Sequence, residues 1–153
     1  MTRTTHTRVE RSALVPYPAA TLFALVADIE RYPEFLPWCR SARIAGREGE
    51  QVQAAIEIDF HGIRQRFSTA NTNRPHESIT LDLIEGPFRH LQGEWRFTVL
   101  GEKACKVALT LDYEFRNALL GRVVGPVFGR IANTMVDAFV RRAAALATLP
   151  KTA

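Results

Sequence analysis

Glu57, Asp59 and His61 stand at alternate positions. Two carboxylates and an imidazole on one strand face could pass a proton to or from a substrate. Strand parity works against that use. Val52, Ala54, Ile56, Ile58 and Phe60 occupy the opposite face of the same segment and are all apolar, so the acid–base set belongs to the solvated side. His6, His76 and His90 are scattered, and none has a His or Cys partner at the spacing of a metal site. Cys39 and Cys105, the only cysteines, read as two reduced, buried thiols. No glycine-rich loop follows a strand, so nucleotide use has no support. Polar side chains with the inward parity of Phe67 are confined to Gln65, Thr69 and Asn71. We therefore expect no catalytic residue, no metal site and no catalytic cofactor.

The elements that carry these residues follow from periodicity. A first strand covers about Thr7–Val15, and a short helix covers Ala19–Ala27, with Pro18 at a plausible first position. Asp28 is placed to cap a further turn through Glu30 and Tyr32. Period-two alternation then runs through Val52–Phe60, Ile63–Thr69, Ile79–Leu83, Leu91–Val99 and Cys105–Phe115. Breaks fall at His61-Gly62, Arg74-Pro75-His76, Glu85-Gly86-Pro87 and Gly101-Glu102. Connections this short demand antiparallel pairing. The predicted order is strand, two short helices, six antiparallel strands and one long helix.

One face of such a sheet is apolar and must be covered. The cover is the C-terminal segment, where Leu120, Val123, Val124, Val127, Ile131, Met135, Phe139 and Leu146 recur at helical spacing. Gly121, Gly125 and Gly129 share a stripe of it, and each costs a helix ~1 kcal/mol relative to alanine. Either the helix begins near Ala118 and the stripe serves a close approach or a hinge, or it begins near Pro126 and the first two glycines lie in a loop.

The 153 residues, 46% hydrophobic and 24% charged, fit a single domain over residues 1–153 with a core at about 8–149. They exclude a disordered chain and a disulfide scaffold. The stretch 119–149 is interrupted by arginines and other polar groups and reads as amphipathic. The first twelve residues lack the apolar centre of a secretory signal, so a cytoplasmic location is expected. A net charge of +4 is too small to choose between nucleic acid and an ordinary ion-paired surface. Arg64, Arg66 and Arg96 alternate with acidic residues on the outward face, whereas Arg3, Arg8 and Arg11, and Arg141 with Arg142, form purer clusters. Those five are candidates to touch RNA or anionic lipid.

Three segments carry a family resemblance. The first is Val26-Ala27-Asp28-Ile29-Glu30-Arg31-Tyr32-Pro33-Glu34-Phe35-Leu36-Pro37-Trp38-Cys39. The second is Glu85-Gly86-Pro87-Phe88 followed by Leu91, Gly93, Trp95 and Phe97. The third is Gly125-Pro126-Val127-Phe128 with Met135-Val136-Asp137-Ala138-Phe139. Together they resemble the coenzyme Q-binding and RatA ribosome-association toxin family of the START-like, polyketide cyclase-like superfamily, from roughly Arg8 to Ala147. The resemblance implies an α+β helix-grip fold of about seven strands around the long helix, with a hydrophobic tunnel for a lipid-like ligand. Eukaryotic relatives bind ubiquinone and support respiration without being enzymes. A bacterial relative is named a toxin because it associates with the large ribosomal subunit and blocks subunit joining.

On this basis Leu36, Phe67, Leu81, Leu83, Trp95, Phe97, Val127, Phe128, Ile131 and Met135 are the expected lining of a site for ubiquinone or another hydrophobic small molecule. Tyr32, Phe35 and Trp38, with Phe88, form either a rigid connector packed by its own aromatic rings or a cavity mouth that touches a membrane surface. The expected partners are thus a prenylated lipid, the surface of the inner membrane and, alternatively, the large ribosomal subunit. An aromatic polyketide cyclase is disfavoured by the scarcity of inward polar groups.

Overall fold

Alternating apolar and polar residues build seven strands in the computed structural model, which describes residues 6–148. Strand β1 (Thr7–Val15) leads into helix α1 (Ala19–Ala27) and a 3-10 turn (Ile29–Glu34). Strands β2 (Cys39–Glu48), β3 (Gln51–Phe60), β4 (Ile63–Arg74), β5 (Ser78–Glu85), β6 (Phe88–Gly101) and β7 (Ala104–Phe115) follow, and helix α2 (Ala118–Ala147) ends the fold. The strands form one antiparallel sheet in the order β1-β7-β6-β5-β4-β3-β2. At the β3–β4 hairpin, His61 and Gly62 both take positive φ, 51° and 81°, which matches a two-residue turn to the twist of the strands. Register shifts in β2–β3, β4–β5 and β6–β7 mark bulges that bend the sheet around α2.

The apolar face of the sheet is filled by α2 through Val124, Phe128, Ile131, Ala132, Val136, Phe139 and Ala143, all buried. Although α2 is long and apolar enough to cross a bilayer, this face is packed against the strands. The outer face of the sheet is ionic. Glu57 pairs with Arg66 at 3.0 Å and with Arg40 at 3.4 Å, and Asp59 pairs with Arg64 at 3.1 Å.

Two local expectations are resolved or corrected. The long helix starts at Ala118, because the Asn117 side chain accepts a hydrogen bond from the Leu120 N–H at 2.9 Å and caps it there. Pro126 lies inside the helix on its exposed side, where the Arg122 carbonyl it leaves without a helical partner faces water. Asp28 makes no capping hydrogen bond; it pairs with Arg31 at 3.1 Å instead.

The glycines divide by what surrounds them. Gly86 has φ of 154°, and a Cβ there would stand 2.6 Å from Phe67 Cβ and 3.3 Å from Phe67 Cα. At Gly125 a Cβ would meet only Phe115, at an ordinary 3.8 Å. Gly86→Ala should therefore destabilise the protein by about 1–3 kcal/mol. Gly125→Ala should stabilise it by about 0.5–1 kcal/mol through helix propensity. Urea unfolding of the two variants checks both signs.

Candidate functional site

Between the sheet and the middle of α2 lies a cavity of about 70 Å³. Every layer of the fold contributes to its wall. The helical segments before the sheet supply Val26, Ile29 and Tyr32, the connector supplies Trp38, and α2 supplies Phe128, Ile131, Ala132 and Met135. The strands supply the rest, among them Ile56 and Ile58 on β3, Phe67 on β4, Ile79 and Leu81 on β5, Trp95 on β6 and Leu109 and Leu111 on β7.

Six of the ten residues expected to line the cavity do so: Phe67, Leu81, Trp95, Phe128, Ile131 and Met135. The other four pack elsewhere, for separate reasons. Leu36 is buried beneath a neighbouring surface groove. Leu83 lies beyond Asp82, where the β5–β6 pairing ends, and packs half-buried against the core. Phe97 is one inward position past Trp95 and is used against α1, its ring 5.6 Å from that of Phe23. Val127 follows the turn of α2 away from Phe128 and is half-buried beside the core.

The aromatic connector packs inward against the core. Tyr32 and Trp38 are buried and line the cavity, and only Phe35 of the three is half-buried. The Tyr32 hydroxyl donates to the Val26 carbonyl, and burial raises its pKa above the usual phenol value. Phe88 is also buried, among Phe67, Tyr113, Phe115 and Phe128. Rings this large stabilise most when removed from water, which draws them inward once Pro33 and Pro37 fix the connector.

Among the described residues, the cavity wall holds no carboxylate, imidazole, amine or guanidinium. Its polar side chains apart from the ring aromatics are Thr69 and Asn71, with the Thr69 hydroxyl donating to Asn71 Oδ1 at 2.6 Å. Gln65, which shares their strand parity, lies in a surface groove instead. Cys39 and Cys105 are free and buried, and burial pushes the Cys39 thiol up to about 11. The wall can bury hydrocarbon, and its aliphatic and aromatic lining is interrupted by the Thr69–Asn71 pair.

Next to the cavity runs an open groove of about 440 Å³ that shares Trp38 and Ile131 with it. Its floor is apolar, and Arg130, Arg141 and Arg142 stand along it. Arg142 pairs with Glu34 at 2.7 Å and lies 5.0 Å from the Phe35 ring centre. The N-terminal cluster is occupied, since Arg8 pairs with Glu10 and Asp112 and Arg11 donates to Asn133. Arg3 lies outside the described residues. Parity located the strand-borne walls, but Val26, Ile29 and Trp38 sit in segments without strand alternation and carried no comparable signal.

A curved antiparallel sheet gripping one long helix around an apolar cavity defines a helix-grip, START-like domain. Residues 15–140 match the model of the polyketide cyclase/dehydrase and lipid transport family, and the chain belongs to that family. It is 46% identical over 137 residues to the ribosome association toxin RatA of Pseudomonas aeruginosa, covering 90% of this chain and 95% of that one. A mitochondrial coenzyme Q-binding protein COQ10 homolog B from Xenopus laevis is 24% identical, over 86% of this chain and 56% of its own length. Among solved structures, the Zhui aromatase/cyclase of a Streptomyces species superposes with a TM-score of 0.79 at 19% identity, covering 92% of this chain and 94% of that one.

Phe128 meets four sheet aromatics, with ring centres 4.8 Å away at Tyr113 and 4.9 Å at Phe88. Phe128→Ala should cost about 3–5 kcal/mol of stability, read as a lower midpoint in urea with an unchanged m-value.

Proposed function

We propose that this protein is a non-catalytic carrier that holds ubiquinone, or a similar prenylated lipid, between the sheet and α2, and supports respiratory electron transport from a cytoplasmic position at the inner membrane. The observation that carries this reading is the composition of the cavity wall, which is hydrocarbon and aromatic apart from a single Thr–Asn pair. A prenyl tail asks for burial and little else, at ~0.8 kcal/mol per methylene. A general acid or base, which a cyclase would need within reach of its substrate, has no candidate in that wall.

At about 70 Å³ the cavity is too small for such a ligand; an engineered cavity that takes benzene measures ~150 Å³. Binding therefore requires an opened form. The arginine-flanked groove offers the way in, because Trp38 and Ile131 alone belong to both spaces. Arg130 and Arg141 beside it suit the negative surface of a membrane leaflet. The name of the more distant relative, a coenzyme Q-binding protein, supports the choice of ligand.

Lipid extraction and mass spectrometry of protein purified from its native host should recover a quinone. Repeated recovery of none, together with no binding on titration, would sink the proposal. Ile131→Glu should abolish binding while circular dichroism shows the fold retained.

A second reading is association with the large ribosomal subunit so that subunit joining is blocked. It is favoured by the RatA name of a relative at 46% identity, against 24% for the coenzyme Q-binding one. Overexpression followed by sucrose-gradient profiles should then show free subunits accumulating at the expense of whole ribosomes. A normal profile would count decisively against it.

A further inference from the structure

We propose that Asn71 is the anchor for a neutral hydrogen-bond acceptor, such as a carbonyl or ether oxygen, at the polar end of the cavity's ligand. The inference rests on the carrier reading and specifies the ligand chemistry that the site selects.

Asn71 projects from β4 between Val52 of β3 and Leu81 of β5 in the register of the sheet, and it lines the cavity while only 6% exposed. Thr69, two residues earlier on the same face, is 5% exposed. Their mutual separation of 2.6 Å is ordinary for O–H···O and short for N–H···O. That assigns the amide oxygen to the Thr69 hydroxyl and leaves the nitrogen, with its two N–H groups, on the other side. Among the described residues this nitrogen has no acceptor. Among the described residues, no sealed side-chain nitrogen or oxygen lacks a partner, so the Asn71 amide is not sealed and borders the open space.

An amide in an apolar wall loses its water and regains that free energy only from an acceptor. Thr69 fixes which end of the amide is available, so the site is built as a donor. Its partner is neutral, since the wall contains no cation to balance an anion. The rest of the ligand is apolar, to match the aliphatic and aromatic groups around the pair.

The test compares decylubiquinone, which has ring carbonyl and methoxy oxygens, with diphenylhexatriene, which is hydrocarbon only. Asn71→Leu keeps the volume and removes the donors. We expect decylubiquinone affinity to fall about three- to tenfold, the span of a single neutral hydrogen bond, with diphenylhexatriene affinity unchanged. If the single variant does not fold, the paired change Thr69→Val and Asn71→Leu makes the wall uniformly apolar and gives the same measurement. Equal decylubiquinone affinity in parent and variant overturns the anchor and leaves the carrier reading standing. A parent that takes diphenylhexatriene but not decylubiquinone overturns the assigned ligand class. A parent that binds neither overturns the carrier reading and this inference with it.

Discussion

Two aromatic clamps hold α2 against the sheet, and the cavity exists because they lie apart. Phe128 sits among Phe67, Phe88, Tyr113 and Phe115. Phe139 sits among Tyr32, Phe35 and Trp95, with ring centres 5.2–5.4 Å away. The two residues share a helix face three turns apart, roughly 16 Å at about 1.5 Å per residue. Between them Ile131, Ala132 and Met135 of the helix face the cavity. Each clamp gains from edge-to-face ring contacts as well as burial. A straight helix pinned at two points over a bent surface leaves a void at the middle, and its wall comes from every layer of the fold.

The ionic face explains why net charge says little about partners. Arginines on the strands stand across from carboxylates: Arg66 from Glu57, Arg64 from Asp59, Arg89 from Glu114, each within 3.3 Å. Exposed pairs of this kind contribute at most about 1 kcal/mol to stability. Their larger effect is to cancel part of the local field on this face of the sheet. Positive charge with an apolar neighbour is concentrated at the groove beside Trp38 and Ile131, where Arg130 and Arg141 flank buried carbon.

Much of the sheet was legible in the sequence because one buried face and one solvated face force alternation, and β7 carries it plainly. Strand β2 was not delimited, since it buries fully only Cys39. Parity tells which face a residue joins but not how far along the strand it falls. Leu83 and Phe97 therefore point inward and still miss the cavity, one at the end of its pairing and the other under α1. The start of α2 turned on one hydrogen bond accepted by the Asn117 side chain, which outweighs the proline nine residues later in fixing the first turn. The aromatic connector was ambiguous for a related reason. A Tyr, a Phe and a Trp interspersed with prolines suit an interface and a core equally, and Phe139 beneath Tyr32 and Phe35 draws those two rings inward.

The size of the cavity sets a condition on any function that uses it. With about 70 Å³ between the clamps, a ligand ring enters only if wall side chains are displaced. Interiors pack at crystal-like density, so a displaced side chain needs somewhere to go. The Phe128 clamp has no such room, because its ring is enclosed on the sheet side by four others. The Phe139 end borders the open groove, and Trp38 and Ile131 separate the two spaces there. Motion of these two side chains toward the groove would join a void of about 70 Å³ to one of about 440 Å³ without breaking either clamp. The Thr69–Asn71 pair lies on the sheet side of the cavity and would keep its position as the partition moved. Under the carrier proposal, a fixed polar point would then face an apolar wall that has to move.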